Sequence, residues 1–162
     1  MTDPEFIPAN HQRSDSTAEP GDRVAALVLR GVQRLMRAQN FSSIAEMPLA
    51  NGRRADVMAP GHSGELWIVE IKSSIADFRS DHKWTEYRDY CDALYFAVTP
   101  DFPYSILPED AGLILADAYA GEIIRPAPVL RLAGARRKAV TSSFARLAAF
   151  RLQALTDPAQ GL

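Results

Sequence analysis

Cysteine is almost missing from this chain of 162 residues: Cys91 stands alone. One thiol cannot build an internal disulfide framework or a cysteine-rich zinc site. It suits a reducing compartment, so a cytoplasmic location is expected. Long hydrophobic runs are missing as well. None approaches the ~18–20 apolar residues that span a bilayer, so no membrane partner is expected. The stretch Met1 to Pro20 has no apolar core segment and does not read as a secretory signal. Nor is there an excess of positive charge: 18 Lys and Arg stand against 20 Asp and Glu, a net charge of -2. A chain basic throughout, the common form of a generic polyanion binder, is thereby excluded.

The charge that is present is unevenly placed. From Arg125 to Ala154 there are seven basic residues (Arg125, Arg131, Arg136, Arg137, Lys138, Arg146 and Arg151) and no acidic one. Such a segment beside an acidic body can bind phosphate locally. It can equally be the solvated face of a helix. The length fits one domain, and 47% hydrophobic residues can fill a core without covalent staples.

Residues 1–20 are polar and carry Pro4, Pro8 and Pro20, which predicts a tail. Asp22 is expected to cap a helix with Val24, Leu27, Val28, Leu35 and Met36 on its apolar face. That helix should stop near Asn40, and Gly31 weakens it slightly. Three strand-like runs follow: 43–50, 53–59 and 65–72. The turn pair Asn51-Gly52 separates the first two, and a Pro60 to Gly64 loop separates the second and third. Short connections predict an antiparallel meander. Ile75 to Cys91 reads as a second helix. Leu94 to Val98 reads as a buried strand reached by a helical crossover, and 112–116 and 122–124 as two more strands. Ala135 to Leu155 reads as a closing helix with a stripe of Val140, Phe144, Leu147, Ala148 and Leu152. Strands in succession with helices over them describe one mixed α/β domain, residues 21–156, with 157–162 as a second tail.

Side chains alternate along a strand, so Glu70 and Lys72 share one face and Val69 and Ile71 the other, the expected core face. Asp56 lies on the preceding run. A hairpin turning around Gly61 to Ser63 sets it opposite position 68 or 70, and both registers place it on the Glu70 face. A slip of one residue would place it on the other. Two carboxylates a strand apart repel each other. A hard cation such as Mg²⁺ or Mn²⁺ relieves that repulsion, and the backbone carbonyl of Ile71 could add an oxygen. Lys72 would sit beside the cation and a bound phosphate, able to polarise water or to offset developing charge.

Asp56, thirteen intervening residues and then Glu70-Ile71-Lys72 resemble the PD-(D/E)xK nuclease motif. Ala55 stands where that motif often has proline. The stretches RRADVMAPG, LWIVEIKSSIADFRSDHKWTEYRDYCDALYFAVTP, LPEDAGLILADAYAGEIIR and RRKAVTSSFARLAAFRL are similar to the MmcB-like family of bacterial DNA-repair proteins, over roughly Asp22 to Leu152. The resemblance implies a restriction-endonuclease-like α/β fold with a mixed central sheet flanked by helices. It also implies DNA as partner, together with other repair proteins, and Asp56, Glu70 and Lys72 as metal and catalytic positions.

Around that set, Glu46 is either a third carboxylate at the metal or a partner of Arg53 or Arg54. Arg53, Arg54, Lys83, Arg136, Arg137 and Lys138 are candidate DNA contacts, which would position the duplex without reading its sequence. Arg53 and Arg54 could equally neutralise Glu46 and Asp56. Ser73 and Ser74 are expected to cap the next helix through Asp77. His82 reads as exposed, Trp84 and Tyr87 as packing residues, and Cys91 as core. Two functions remain open at this level. One is a metal-dependent DNA nuclease. The other is a DNA- or partner-holding accessory factor that does not cut. Action on RNA is a weaker third, since no interleaved aromatic platform is visible.

Overall fold

The computed structural model describes residues 18–158. Most of the two expected tails (residues 1–20 and 157–162) therefore lies outside the described residues. Helix α1 (Pro20–Ala38) begins two residues before the expected Asp22. Proline suits this first-turn position because its missing N–H would have no partner there anyway. Asp22 contributes its charge to the first turn instead of capping. At the other end Asn40 takes a left-handed conformation (φ 62). The Asn40 N–H bonds the Arg37 carbonyl and the Phe41 N–H bonds the Met36 carbonyl. Those paired reverse bonds close the helix at the expected place.

Strands β1 (Ile44–Pro48), β2 (Arg54–Pro60) and β3 (Leu66–Ile71) form the expected antiparallel meander. The β1–β2 turn runs through Asn51-Gly52. Asn51 Oδ1 accepts the Arg53 N–H at 3.0 Å, and Gly52 supplies φ +82, open mainly to glycine. Helix α2 (Ile75–Ser80) and a 3₁₀ segment (Trp84–Tyr90) lead to β4 (Ala93–Val98), which pairs parallel with β3. β5 (Gly112–Ala116) pairs parallel with β4, and β6 (Gly121–Arg125) pairs antiparallel with β5. The result is one six-stranded mixed sheet in sequential order, closed by α3 (Gly134–Thr156).

Helices cover both faces of the sheet. On one face Val28, Val32, Leu35 and Met36 of α1 pack on Val57, Val69, Ile71, Ala97 and Ile114. Full burial of such a side chain contributes roughly 1.5–3 kcal/mol. Gly31 is essential to this contact. A Cβ there would meet the Asp117 carbonyl at 2.1 Å and the Ala120 carbonyl at 2.5 Å, so the β5–β6 turn rests directly on the helix backbone. On the other face Met58, Leu66, Ile68 and Leu94 pack under Tyr87, Tyr90 and Val140. A third cluster sets Phe96 and Leu113 beneath Phe78 and Trp84.

Two expectations need correction. The single helix over 75–91 is broken at Asp81, whose backbone is extended (φ -89, ψ 98). Asp81 Oδ1 accepts the Lys83 N–H two residues on, at 2.9 Å, a side-chain turn that competes with helix continuation. The stripe on α3 is also shorter than expected. Val140 is buried and Phe144 and Leu147 pack partly, but Leu152 is 62% exposed. α3 meets chiefly β1 and the 3₁₀ segment, and the apolar side chains of its last turns are left exposed.

Candidate active site

Val57 faces Val69 in the β2–β3 ladder, so the next position brings Asp56 beside Glu70. The expected shared face is therefore present. The regular ladder ends here and side chains continue it. Glu70 Oε1 accepts the Asp56 backbone N–H at 3.1 Å, and Asp56 Oδ2 accepts the Ile71 N–H at 2.8 Å. Each carboxylate thus ties down the opposite strand with one oxygen. The second oxygen of each takes no hydrogen bond from a described residue. Both groups line a cleft whose walls also include α1 residues Gly21, Asp22 and Ala25, together with Ile71, Lys72 and Asp81.

The face holding these groups is not a solvent face. Glu70 is 3% exposed and Lys72 5% exposed, beneath the chain from α2 to the 3₁₀ segment. Burial raises the Asp56 carboxyl above its ordinary range, and the Ile71 N–H only partly offsets it. Burial, reinforced by the Asp56 charge, pushes Glu70 well above the usual carboxylate range. Both shifts record a site where two negative charges are held short of water and of counter-charge.

Lys72 has a partner that the sequence reading did not find. Its Nζ lies 2.6 Å from Asp81 Oδ2. Burial alone would lower the ammonium, but the Asp81 hydrogen bond and charge carry it above its ordinary value. Burial likewise would raise Asp81, but Lys72 and the Lys83 N–H bring it below its ordinary value. Beside Asp81, Lys72 is favoured as the ammonium, which can offset negative charge and donate hydrogen bonds. Between them, Ser74 caps α2 by accepting the Asp77 N–H at 3.0 Å, and Asp77 Oδ2 in turn accepts the Ser73 N–H at 2.9 Å. This is the expected capping arrangement, and it fixes the chain leaving Lys72.

The cleft rim gathers part of the expected cation set. Lys83 is exposed and lines the cleft. Arg54 is exposed there too, 3.7 Å from Glu46. Arg53 is held by Glu86 through two bonds of 2.9 and 3.2 Å. Glu46 lines the same cleft, but its carboxylate turns to Arg54. Among the described residues, no three or more His, Cys, Asp or Glu side chains converge as a metal cage. The available donor set is the two free oxygens of Asp56 and Glu70. Magnesium-type ions suit such a set, since they bind through one or two carboxylates and keep several waters.

The expected contacts on α3 lie elsewhere. Arg137 makes two 2.6 Å bonds to Asp92, which also accepts the Leu66 and Leu132 N–H groups. Leu66 begins β3, so this anchor sits at the opposite end of the strand from Glu70. Arg136 lies over the Tyr90 ring at 4.7 Å, and Lys138 is exposed. Arg151, at the far end of α3, donates to the Ala45 and Glu46 carbonyls. His82 is exposed, Trp84 packs edge-on against Phe96 and Tyr87 is buried in the core, all as expected, and the Tyr87 hydroxyl also bonds the Arg54 carbonyl. Cys91 is buried, and its thiol is pushed up to about 12 by desolvation.

The family model of MmcB-like DNA repair proteins matches residues 12–159. Among solved structures, the SPO1766 protein of unknown function from Silicibacter pomeroyi is 48% identical, with a TM-score of 0.82 over 86% of this chain and 96% of that one. No curated protein gives a significant match. A family match running from the residues before α1 to those after α3 means that the chain belongs to the MmcB-like family of DNA repair proteins.

Proposed function

We propose that the protein is a metal-dependent nuclease of the PD-(D/E)xK type, cutting DNA phosphodiester bonds during repair. One observation carries this reading. Asp56 and Glu70 are kept together, desolvated and with a free oxygen each, while Lys72 on the same strand face is held charged. A scaffold gains nothing from that arrangement, because a buried carboxylate beside a half-buried one costs stability when no cation is shared. Asp56 and Glu70 would hold Mg²⁺ or Mn²⁺, with the Ile71 carbonyl and Glu46 as further candidate oxygens. A bound ion of this kind supplies Lewis acidity and a water of lowered pKa. Lys72 would donate to a phosphate oxygen and offset the charge that grows there as the bond to the leaving sugar oxygen breaks. Asp81 keeps Lys72 protonated and aimed. Arg54 and Lys83, exposed at the rim, would contact flanking phosphates, as would Lys138 on any DNA that reaches α3.

The test is cleavage of single-stranded, nicked and branched DNA with Mg²⁺ or Mn²⁺, wild type beside Asp56→Ala and Lys72→Ala, with folding checked by circular dichroism. Cleavage by wild type, reduced roughly 10²–10³-fold or more in folded variants, is the expected result. A wild type that binds metal yet cuts no DNA form removes the nuclease reading. The second reading, an accessory factor that holds DNA or a partner, is favoured by the pairing of Lys72 with Asp81 and of Arg53 with Glu86, which occupies two cleft cations. It predicts that Asp56→Ala and Lys72→Ala still complement a repair-deficient strain.

A further inference from the structure

Away from the cleft, α3 and the β1–β2 turn enclose a groove of about 290 Å³ that nothing in the site uses. Its floor is apolar: Met47, Leu49, Tyr90 and Val140. Its α3 wall is made of small residues, Ala139 and Ser143. Positions 136, 139, 143, 146 and 150 recur at three- and four-residue spacing, so they run along one stripe of the helix. Two turns beyond Ser143 on that stripe stands Phe150, whose side chain is exposed. An exposed phenylalanine on a helix beside an apolar trough is an unfinished packing surface.

The charges bordering the stripe are of one sign. Arg136 and Arg146 flank it, and no acidic residue occurs between Glu122 and Asp157. Neither guanidinium pairs with a carboxylate among the described residues. Each rests on an aromatic ring instead, Arg136 on Tyr90 at 4.7 Å and Arg146 on Phe150 at 5.7 Å. An Arg stacked on an aromatic keeps its hydrogen-bonding edge free for a carboxylate. A second copy of this chain would set Arg136 and Arg146 against the same pair, so self-association through this face is opposed. A duplex backbone would gain from two cations but would cover the apolar floor with phosphate, which costs desolvation without return.

We infer that this groove is a docking site for a partner protein, through a short segment with aliphatic or aromatic anchors flanked by Asp or Glu. The anchors fill the trough over Met47 and Leu49 and stack against Phe150. The flanking carboxylates take the free edges of Arg136 and Arg146. The small residues at 139 and 143 let the partner backbone approach the helix. The Arg137–Asp92 anchor holds the start of α3 at the opposite end of β3 from Glu70, while its far end reaches the Ala45 and Glu46 carbonyls beside the cleft.

The test selects binders to the full chain from a random peptide display library, with Ser143→Trp and Arg146→Glu as variants. Ser143 is exposed, so tryptophan there fills the groove without entering the core. The expected outcome is enrichment of peptides carrying Leu, Ile or Phe beside Asp or Glu. A resynthesised peptide then binds each folded variant about tenfold or more weaker than wild type, as loss of a buried anchor or of a rim charge pair should do. Three outcomes overturn the inference. One is a selection that yields nothing above an empty surface. Another is enriched peptides that lack acids or bind Ser143→Trp as well as wild type. The third is a parallel loss of affinity of both variants for a 20-base-pair duplex, which would make the face a DNA contact.

Discussion

Replacing Glu70 with Gln should make the metal-free protein more stable, although Glu70 is buried and hydrogen-bonded. The glutamine carbonyl oxygen can keep the 3.1 Å bond from the Asp56 N–H. What disappears is the cost of a buried charge beside a second carboxylate. Two unit charges about 5 Å apart at an effective dielectric near 20 repel by ~3 kcal/mol. Lost attraction to Lys72 offsets part of this, leaving a net gain of about 1 kcal/mol, or ~2–4 °C in Tm for a domain of this size. The pH dependence has a definite sign. Folding raises the Glu70 pKa, so the folded state binds its proton more tightly than the unfolded chain. Its contribution is full below the ordinary glutamate range and is lost as pH rises through the folded value. Glu70→Gln should therefore match wild type near pH 4 and exceed it at pH 7.5 in chelator. Adding Mg²⁺ or Mn²⁺ should reverse the ranking, since only wild type gains linkage stabilisation, ~2.7 kcal/mol at a hundredfold excess over Kd. Differential scanning fluorimetry at several pH values, with and without metal, reads both effects. A Glu70→Gln protein less stable than wild type at pH 7.5 in chelator would refute the reasoning. It would mean that Glu70 is ionised and satisfied without a cation.

Asp92→Ala should cost about 3–5 kcal/mol by urea denaturation, because it strands the Leu66 and Leu132 N–H groups and frees Arg137. Burial alone would raise the Asp92 pKa, but Arg137 and the two N–H groups bring it below its ordinary value. The stability it adds is thus present above the ordinary aspartate range and is lost as acid takes pH down through the folded value, so Asp92→Ala should flatten the acid limb of wild type. Gly31→Ala should destabilise by roughly 1–3 kcal/mol and loosen the β5–β6 turn, measured as faster amide exchange near Ala120, since the new Cβ meets two carbonyls. Cys91 should resist aromatic disulfide reagents in the folded state and react at the rate of unfolding, its thiol being buried and pushed up to about 12.

Strand positions were legible because each short run is bounded by a strong turn signal. Asn51-Gly52 and the Gly61 to Gly64 loop left only a few registers for β2 against β3, and the strand period of two put Asp56 on the Glu70 face in both of those weighed. The Schellman end of α1 was readable from Asn40 for the same kind of local reason. The break at Asp81 was harder, because Asp77, Asp81 and Arg88 keep helical spacing and one side-chain turn overrides it. An Asp followed two residues later by the N–H it accepts is a usable signal for such a stop. Nothing local could reveal Arg137 as the partner of Asp92. The two are joined only because β3, β4 and the start of α3 meet at one end of the sheet.

That same geometry explains what the chain does with its cations. Read along the sequence, the Arg125 to Arg151 segment is a block of positive charge. In the fold three of its seven cations are engaged by the protein's own oxygens. Arg125 bonds the Pro108 and Ala111 carbonyls, Arg137 bonds Asp92, and Arg151 bonds the first strand. Linear charge therefore overstates how much of this segment can reach a phosphate, and among the described residues the cleft rim exposes only Arg54 and Lys83. Two exposed cations at the described rim would hold DNA weakly by the backbone alone. Removing both Arg54 and Lys83 would lower the salt slope of binding by about 2. A metal shared between Asp56, Glu70 and a phosphate would then carry much of the remaining attraction. Binding that depends on Mg²⁺ or Mn²⁺ more than on ionic strength follows from this distribution. Affinity that is unchanged in chelator but collapses with salt would contradict it.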